Sequence, residues 1–244
     1  MSNYFNINFQ FNHIELEEQV RLTAKESKGY FCFVDLTSLV SSYMDLEFRR
    51  VLNSSTANSC DGSYIALMVS EIHSDKVKEY IGPDFFKKFI YCNNKQLIIG
   101  NTEVVFNKIK SKVEIENNHA NNLYYLPVPY LDVSDFDYEQ IGKIINKIKP
   151  DYIWVSLGAP KQEIFMSKLI PYVNRGALLG IGAATNYFSG EIKDIPSWAK
   201  KLHLIWLYRI FTEPNKQLKR LKSILLTFPK MIKEEKNRIK NLKL

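Results

Sequence analysis

Residues Pro150–Gly190 read PDYIWVSLGAPKQEIFMSKLIPYVNRGALLGIGAATNYFSG, and the order of apolar runs and breaks in this stretch decides the fold class. The apolar run over 152–157 predicts a buried strand, ended by Gly158 and Pro160. Helical spacing follows over 161–173, then a second apolar run over 177–181 that ends at Gly182. A strand, a tight glycine turn, a helix and a strand make a βαβ unit. Pro160 suits the first helical position, because its missing N–H would have no intrahelical partner there. Gly158 lets the backbone approach a ligand closely. The unpaired N–H groups of a helix starting near Pro160 would face the strand end, where an anionic group such as a phosphate can bind.

Working outward, the same alternation continues upstream. A short lead-in strand over 6–11 precedes a polar helical or loop segment that runs to residue 28. Residues 29–36 (GYFCFVDL) predict a buried strand, and Thr37 or Ser38 can cap the helix after it. That helix places Leu39, Val40, Tyr43, Met44, Phe48, Val51 and Leu52 at helical spacing. Asp61-Gly62 is a turn dipeptide before an apolar helix over 63–72. Asp61 would project from the rim of the sheet, although its plain reading on the residues alone is a turn or N-cap residue. Gly82-Pro83-Asp84 opens a helix over 84–92; a strand over 95–100 turns through Gly100-Asn101-Thr102 into a helix over 103–112. Pro127 and Pro129 assign the strand over 123–129 to an edge position or an early end. An amphipathic helix over 138–149 closes at Pro150. Strands alternating with helices in this way predict an α/β fold with a mainly parallel, doubly wound sheet. Ligands of such sheets bind outside the C-terminal strand ends, and Gly62, Gly100, Gly158 and Gly182 would lie on or near that edge.

A chain of 244 residues has room for one large α/β domain, or for a domain and an appendage. No apolar run reaches the roughly 18–20 residues that span a bilayer, and the start MSNYFNINFQFNH lacks the basic and apolar regions of a secretory signal. Cys32, Cys60 and Cys92 are odd in number and fit no metal-ligand spacing, which reads as free thiols in a reducing cytosol. Ten of the 33 Lys/Arg and three of the 26 Asp/Glu fall in residues 213–244, so this tail carries the whole net charge of +7. An anionic partner is therefore expected at the tail and not over the domain.

After Gly190 the pattern changes. Residues 196–209 (PSWAKKLHLIWLYR) predict an aromatic amphipathic helix, broken at Glu213-Pro214. Residues 215–243 form a long basic helical pattern with Leu218, Leu221, Ile224, Leu225, Phe228 and Ile232 on its apolar side, kinked or split at Pro229. One reading is a solvated helix packed on the core. A second is an amphipathic helix lying on an anionic membrane surface. Nucleic-acid binding is the weakest of the three, because interleaved aromatics and any known nucleic-acid motif are missing.

Dinucleotide, P-loop and nucleophile-elbow fingerprints are absent from the sequence. His13, His73, His119 and His203 are scattered and read as structural or solvated. No Asp-x-Asp pair is placed to hold a nucleotide-bound divalent ion.

The runs VSLGAPKQEIF, GIGAATNYFSG, IPSW and WLYRIFTEP, in this order and spacing, resemble the WecG/TagA/CpsF family of bacterial glycosyltransferases, glycosyltransferase family 26. The resemblance covers about residues 29–221 and is strongest over 155–214, where Gly158–Glu163 carries the family's Gly-x-Pro-Lys-Gln-Glu run. It implies a Rossmann-like α/β core of the GT-E type over residues 1–195 and a C-terminal helical membrane-docking appendage over 196–244. The implied activity moves an N-acetylmannosamine-type or related sugar from a UDP-sugar to a polyprenyl-diphosphate-linked saccharide. The site would be the inner face of the cell membrane, and no metal or other cofactor is implied. Homo-oligomers occur in the family.

By the same resemblance Asp61 is the catalytic base, since a carboxylate can take the proton of an acceptor hydroxyl as its oxygen attacks the anomeric carbon. Gln162 and Glu163 match the active-site run, and Gln162 could hydrogen-bond the sugar or the diphosphate. Gly100, Gly158 and Gly182 are implied around the nucleotide. Asp35, Thr37, Gly62, Asp84, Asn101, Pro160, Lys161 and Asn186 complete the expected substrate contacts. Arg209 and Arg220 match appendage arginines that could neutralise the diphosphates of UDP or the lipid carrier.

Four polar or charged family positions are altered. Phe33 stands where the family has the threonine of a Thr-x-Asn run, with Asp35 at its asparagine, unless Thr37 substitutes. Glu79, beside Lys78, takes the place of an arginine; Asn186 that of an aspartate; Ile205 that of the glutamate in Leu-Glu-Trp. Asp194-Ile195-Pro196 also replaces the usual Arg-Ala-Pro. These departures imply a different donor or acceptor, or a catalytically silent relative that binds a nucleotide-sugar or a membrane complex. The retained Asp61 and Gln162 favour an active enzyme of changed specificity.

Overall fold

The computed structural model describes residues 1–117, 119–192 and 214–242. The strands are β1 (Ser2–Tyr4), β2 (Ile7–Phe9), β3 (Lys28–Val34), β4 (Ala57–Cys60), β5 (Gln96–Gly100), β6 (Leu123–Leu126), β7 (Tyr152–Ser156) and β8 (Gly176–Gly180). They form one eight-stranded sheet in the order β1-β2-β4-β3-β8-β7-β5-β6. Only the β1–β2 pair is antiparallel; every other pairing is parallel.

Alternation along the central strands divides the core in two. Tyr30, Cys32 and Val34 of β3 and Ile153 and Val155 of β7 face one way, into a layer shared with α2 (Leu36–Met44), α3 (Leu46–Asn53), α4 (Ser63–His73), α7 (Tyr138–Ile148) and α8 (Lys161–Leu169). Phe31, Phe33, Tyr152 and Trp154 face the other way, against α1 (His13–Glu26), α5 (Gly82–Phe89), α6 (Glu103–Asn117) and α9 (Ala184–Ser189). Burial on both faces is why these strands read as continuous apolar runs. Each large apolar side chain so buried stabilises the fold by about 2 kcal/mol before entropy is counted.

Several elements differ from the sequence expectation, each for a physical reason. The lead-in strand is a hairpin, because Phe5 (φ 52°) and Asn6 (φ 62°) form a turn with both central residues left-handed. Strand β4 was not legible. Its sequence, ANSC, is half polar yet fully buried, with the Asn58 amide donating to the Asn8 and Leu52 carbonyls (both 2.9 Å) and Ser59 Oγ to the Tyr80 carbonyl (2.7 Å). The helix after β3 is two helices, since Asp45 Oδ1 accepts from the N–H groups of Glu47 and Phe48 and starts α3. Its cap is Asp35 and not Thr37 or Ser38: Asp35 Oδ1 accepts from Ser38 N–H (2.7 Å) and Ser38 Oγ (2.8 Å). Pro160 precedes the first helical residue of α8, after a cis Ala159–Pro160 bond. Helix α8 ends at Leu169, where a single 3₁₀ turn (Ile170–Tyr172) takes in Pro171. Strand β6 ends at Leu126 on the sheet edge, as Pro127 and Pro129 require.

The tail forms one helix, α10 (Pro214–Leu242), which continues through Pro229 instead of splitting there. Phe228 and Met231, on either side of that proline, are buried in the first core layer and hold the helix to the domain. Glu235, 3% exposed, accepts from the Phe5 N–H (3.1 Å), shares a hydrogen bond with His73 Nε2 (2.9 Å) and pairs with Arg238 (2.6 Å). The packed reading of the tail therefore holds from Phe228 to Arg238. The helix expected over 196–209 lies outside the described residues. No helix among the described residues is long and apolar enough to cross a membrane.

Candidate active site

Sheet register assembles the candidate residues along one edge. Val34 pairs with Cys60, so Asp35 and Asp61 leave neighbouring strands side by side, and the Asp61 N–H donates to the Val34 carbonyl (2.9 Å). Cys32 pairs with Gly180, Val155 with Gly180, and Gly100 with Ser156. From β4 to β5 the edge thus presents Asp61, Asp35, the Ile181–Ala183 turn, the Ser156–Pro160 turn and Gly100-Asn101. This is the C-terminal end of the parallel strands, where such folds bind ligands.

Gly158 has φ 77°, and a Cβ built on it would meet nothing within 4 Å, so its backbone lies open to an approaching group. Gly62, before α4, is likewise open. Gly100 differs: with φ 85°, its Cβ would lie 2.7 Å from Leu157 Cδ2 and 2.9 Å from the Ser156 carbonyl oxygen, so only glycine fits the packed turn.

Behind the edge, Gln162 is 3% exposed and its amide is engaged at both ends. Its Oε1 accepts from Gly182 N–H (2.9 Å) and Gly158 N–H (3.2 Å), while its Nε2 donates to the Gly180 carbonyl (2.9 Å) and to Glu163 Oε1 (2.9 Å). Two of the N–H groups that the sequence offers to a phosphate are thus held by Gln162 in this structure. Glu163 is 1% exposed, and burial pushes its carboxyl up to about 7, with Asp35 and Asp61 adding to the rise.

A second polar network holds the far side of the edge. Asn101, left-handed at φ 65°, donates from Nδ2 to Thr185 Oγ1 (2.9 Å) and Asn186 Oδ1 (2.7 Å). Thr185 Oγ1 shares a hydrogen bond with Ser156 Oγ (2.8 Å), which donates to the Gly182 carbonyl (2.7 Å). Ser156 and Thr185 were missed in the sequence; the signal was a hydroxyl at the end of an apolar strand and another just past the next glycine turn.

Other expected residues fall at the margins. Thr37 lies half-buried in the first turn of α2, and Asp84 is exposed in the first turn of α5. The ammonium of Lys161 is held aside by the Leu131 carbonyl and the faces of Tyr130 (4.6 Å) and Phe136 (5.4 Å). Phe33 is buried against Phe85 in the second core layer (ring centroids 5.3 Å). Glu79 immediately precedes Tyr80, whose N–H donates to the Cys60 carbonyl. Arg220 is on α10, and Arg209 and Ile205 lie outside the described residues.

The arrangement offers a carboxylate, Asp61, at one end of the edge and the open Gly158 turn three strands away, which suits proton removal next to a bound anion. The profile of the Glycosyl transferase WecG/TagA/CpsF family matches residues 4–241. The chain is 30% identical over 199 residues to the N-acetylglucosaminyldiphosphoundecaprenol N-acetyl-beta-D-mannosaminyltransferase of Bacillus subtilis (strain 168), covering 80% of this chain and 75% of that one. It is 35% identical over 114 residues to the protein of the same name from Staphylococcus aureus (strain NCTC 8325 / PS 47), covering 47% of this chain and 43% of the other.

Proposed function

The chain belongs to the WecG/TagA/CpsF family and is a glycosyltransferase, and from that premise we propose that it moves an N-acetylmannosamine-type or related hexose from a UDP-sugar to a polyprenyl-diphosphate-linked saccharide in bacterial cell-surface polysaccharide synthesis. The observation that carries this reading is the register that brings Asp61 and the open Gly158 turn to one strand edge. The donor diphosphate lies along the Gly158 and Gly182 turns. The acceptor hydroxyl meets Asp61, whose carboxylate takes its proton. The freed oxygen forms the new bond to the anomeric carbon as the bond to UDP breaks, and UDP leaves with that electron pair, inverting the centre in one step. Arg209 and Arg220 neutralise the diphosphate charge, so the reaction proceeds without a metal.

Residues 1–195 serve as the catalytic core and 196–244 as the docking appendage, with the enzyme peripheral on the inner face of the membrane. Leu225 and Leu226 of α10, 64% and 72% exposed beside Lys222 and Lys230, support contact with an anionic lipid surface. The test is Asp61→Asn: transfer to a synthetic polyprenyl-diphosphate acceptor falls by about 10²–10⁴-fold while UDP still binds. Turnover near that of the parent chain removes Asp61 from the chemistry. A second reading, a silent relative that only binds nucleotide-sugar, is favoured by Phe33, Glu79, Asn186 and Ile205 at positions the family fills otherwise. It predicts UDP binding with no transfer across a panel of donors and acceptors.

A further inference from the structure

The Gln162 amide could be built in two orientations, and its neighbours allow one. The Gly180 carbonyl and Glu163 Oε1 are both acceptors, so the NH₂ end must face them, each at 2.9 Å. The oxygen is thereby turned toward two donors, the N–H groups of Gly158 and Gly182. Reversal would set donor against donor and acceptor against acceptor at all four contacts. The two glycines belong to different turns, after β7 and after β8, and Gln162 Oε1 bonds both. The outer oxygen of Glu163, Oε2, is buried and has no hydrogen-bond partner among the described residues. A carboxyl kept in the core with one oxygen unsatisfied costs stability, which calls for a role beyond packing.

We propose that Glu163 is a positioning residue for the donor site: it fixes the Gln162 amide, and through it the spacing of the Gly158 and Gly182 turns that receive the diphosphate. The proposal rests on the donor placement given above. It also assigns Gln162 a bracing role between the turns. The ionisable groups that bear on Glu163 are Asp35 from the end of β3, Asp61 from the end of β4 and the buried Cys32 thiol of β3. The helices flanking α8 bring apolar Phe48 and Leu52 (α3) and Ile141 and Ile145 (α7) to the same core layer. A neutral carboxyl there accepts from Gln162 without adding a third negative charge beside Asp35 and Asp61, and burial favours that form.

The experiment is amide hydrogen exchange by NMR on the full chain, joined to UDP titration. Glu163→Leu is expected to lose at least tenfold protection at Gly158 and Gly182, with Trp154 and Leu178 in the central strands unchanged, and to weaken UDP binding about tenfold. Glu163→Gln, which keeps an acceptor, is expected to restore both. Should the leucine variant fail to fold, Glu163→Asp, whose shorter side chain withdraws the acceptor, reads the same two amides. Unchanged protection at both glycines in a folded leucine or aspartate variant overturns the proposal, as does unchanged UDP affinity when protection is lost. If UDP binds no form of the protein while protection still collapses, the brace stands and the donor placement falls.

Discussion

Glu163 makes the sharpest residue-scale prediction outside catalysis. Its folded pKa, about 7, lies above the ordinary glutamate value near 4.3 of an unfolded chain, because burial penalises the charged form. The sign follows: the stability tied to its neutral form is fully present below about pH 4.3 and is lost as pH rises through 7. The loss is on the order of 3 kcal/mol. Glu163→Gln removes the titration, so its Tm relative to the parent chain is expected to rise by several degrees between pH 5 and pH 8. A Tm difference that stays flat across that range would show that Glu163 does not carry this charge. Asp61 was legible only as a turn residue until the family resemblance gave it a role, since Asp-Gly occurs in many turns. Gln162 was legible as a candidate site residue, but its four bonds were not, because they join turns whose meeting depends on the sheet register.

At the scale of elements, β3, β5, β7 and β8 were readable because burial on both faces makes them apolar throughout. Strand β4 was hidden because Asn58 and Ser59 satisfy their side chains within the fold, which no local pattern records. Helix α10 shows the same limit. Its amphipathic stripe was plain, but the burial of Glu235 was not, since its partners Phe5 and His73 are 230 and 162 residues away in sequence. Glu235→Ala leaves the Phe5 N–H and His73 without this acceptor at a buried point and leaves Arg238 with Asn3 alone among the partners described. We expect it to lower the unfolding free energy by about 2–4 kcal/mol, read as a lower urea midpoint at unchanged slope. A change within about 0.5 kcal/mol would mean that Phe228, Met231 and the Arg238–Asn3 hydrogen bonds hold the hairpin to α10 without Glu235.

For the whole molecule, the separation of charge from fold is the main feature. Residues 1–212 balance, and the net +7 lies on the segment that carries α10. The inner side of α10 packs on the core, so the proposed lipid contact falls to the outward side, with Lys222, Leu225, Leu226 and Lys230. Flotation with vesicles containing anionic lipid is expected, weakening steeply as salt shortens the Debye length from about 10 Å at 0.1 M. Lys222→Glu with Lys230→Glu is expected to abolish it with only a small loss of Tm, since both side chains are exposed and Lys230 lies over the Tyr43 ring at 5.8 Å. Flotation equal to that of the parent chain in this double variant would place lipid contact elsewhere.

By itself the sequence determined the layered α/β class, the sheet edge that gathers the candidate residues, and the family. Burial on two faces, glycine turns and a run of specific residues leave local marks that can be read in order. Only the tertiary structure decided the placing of Asp35 beside Asp61 at neighbouring strand ends, the Gln162 hydrogen bonds to two turns, the buried Glu163 and the docking of α10 on the N-terminal hairpin. Each of these depends on which strands are neighbours and which groups lose water together. Sheet order and desolvation are properties of the assembled chain, and no window of sequence contains them.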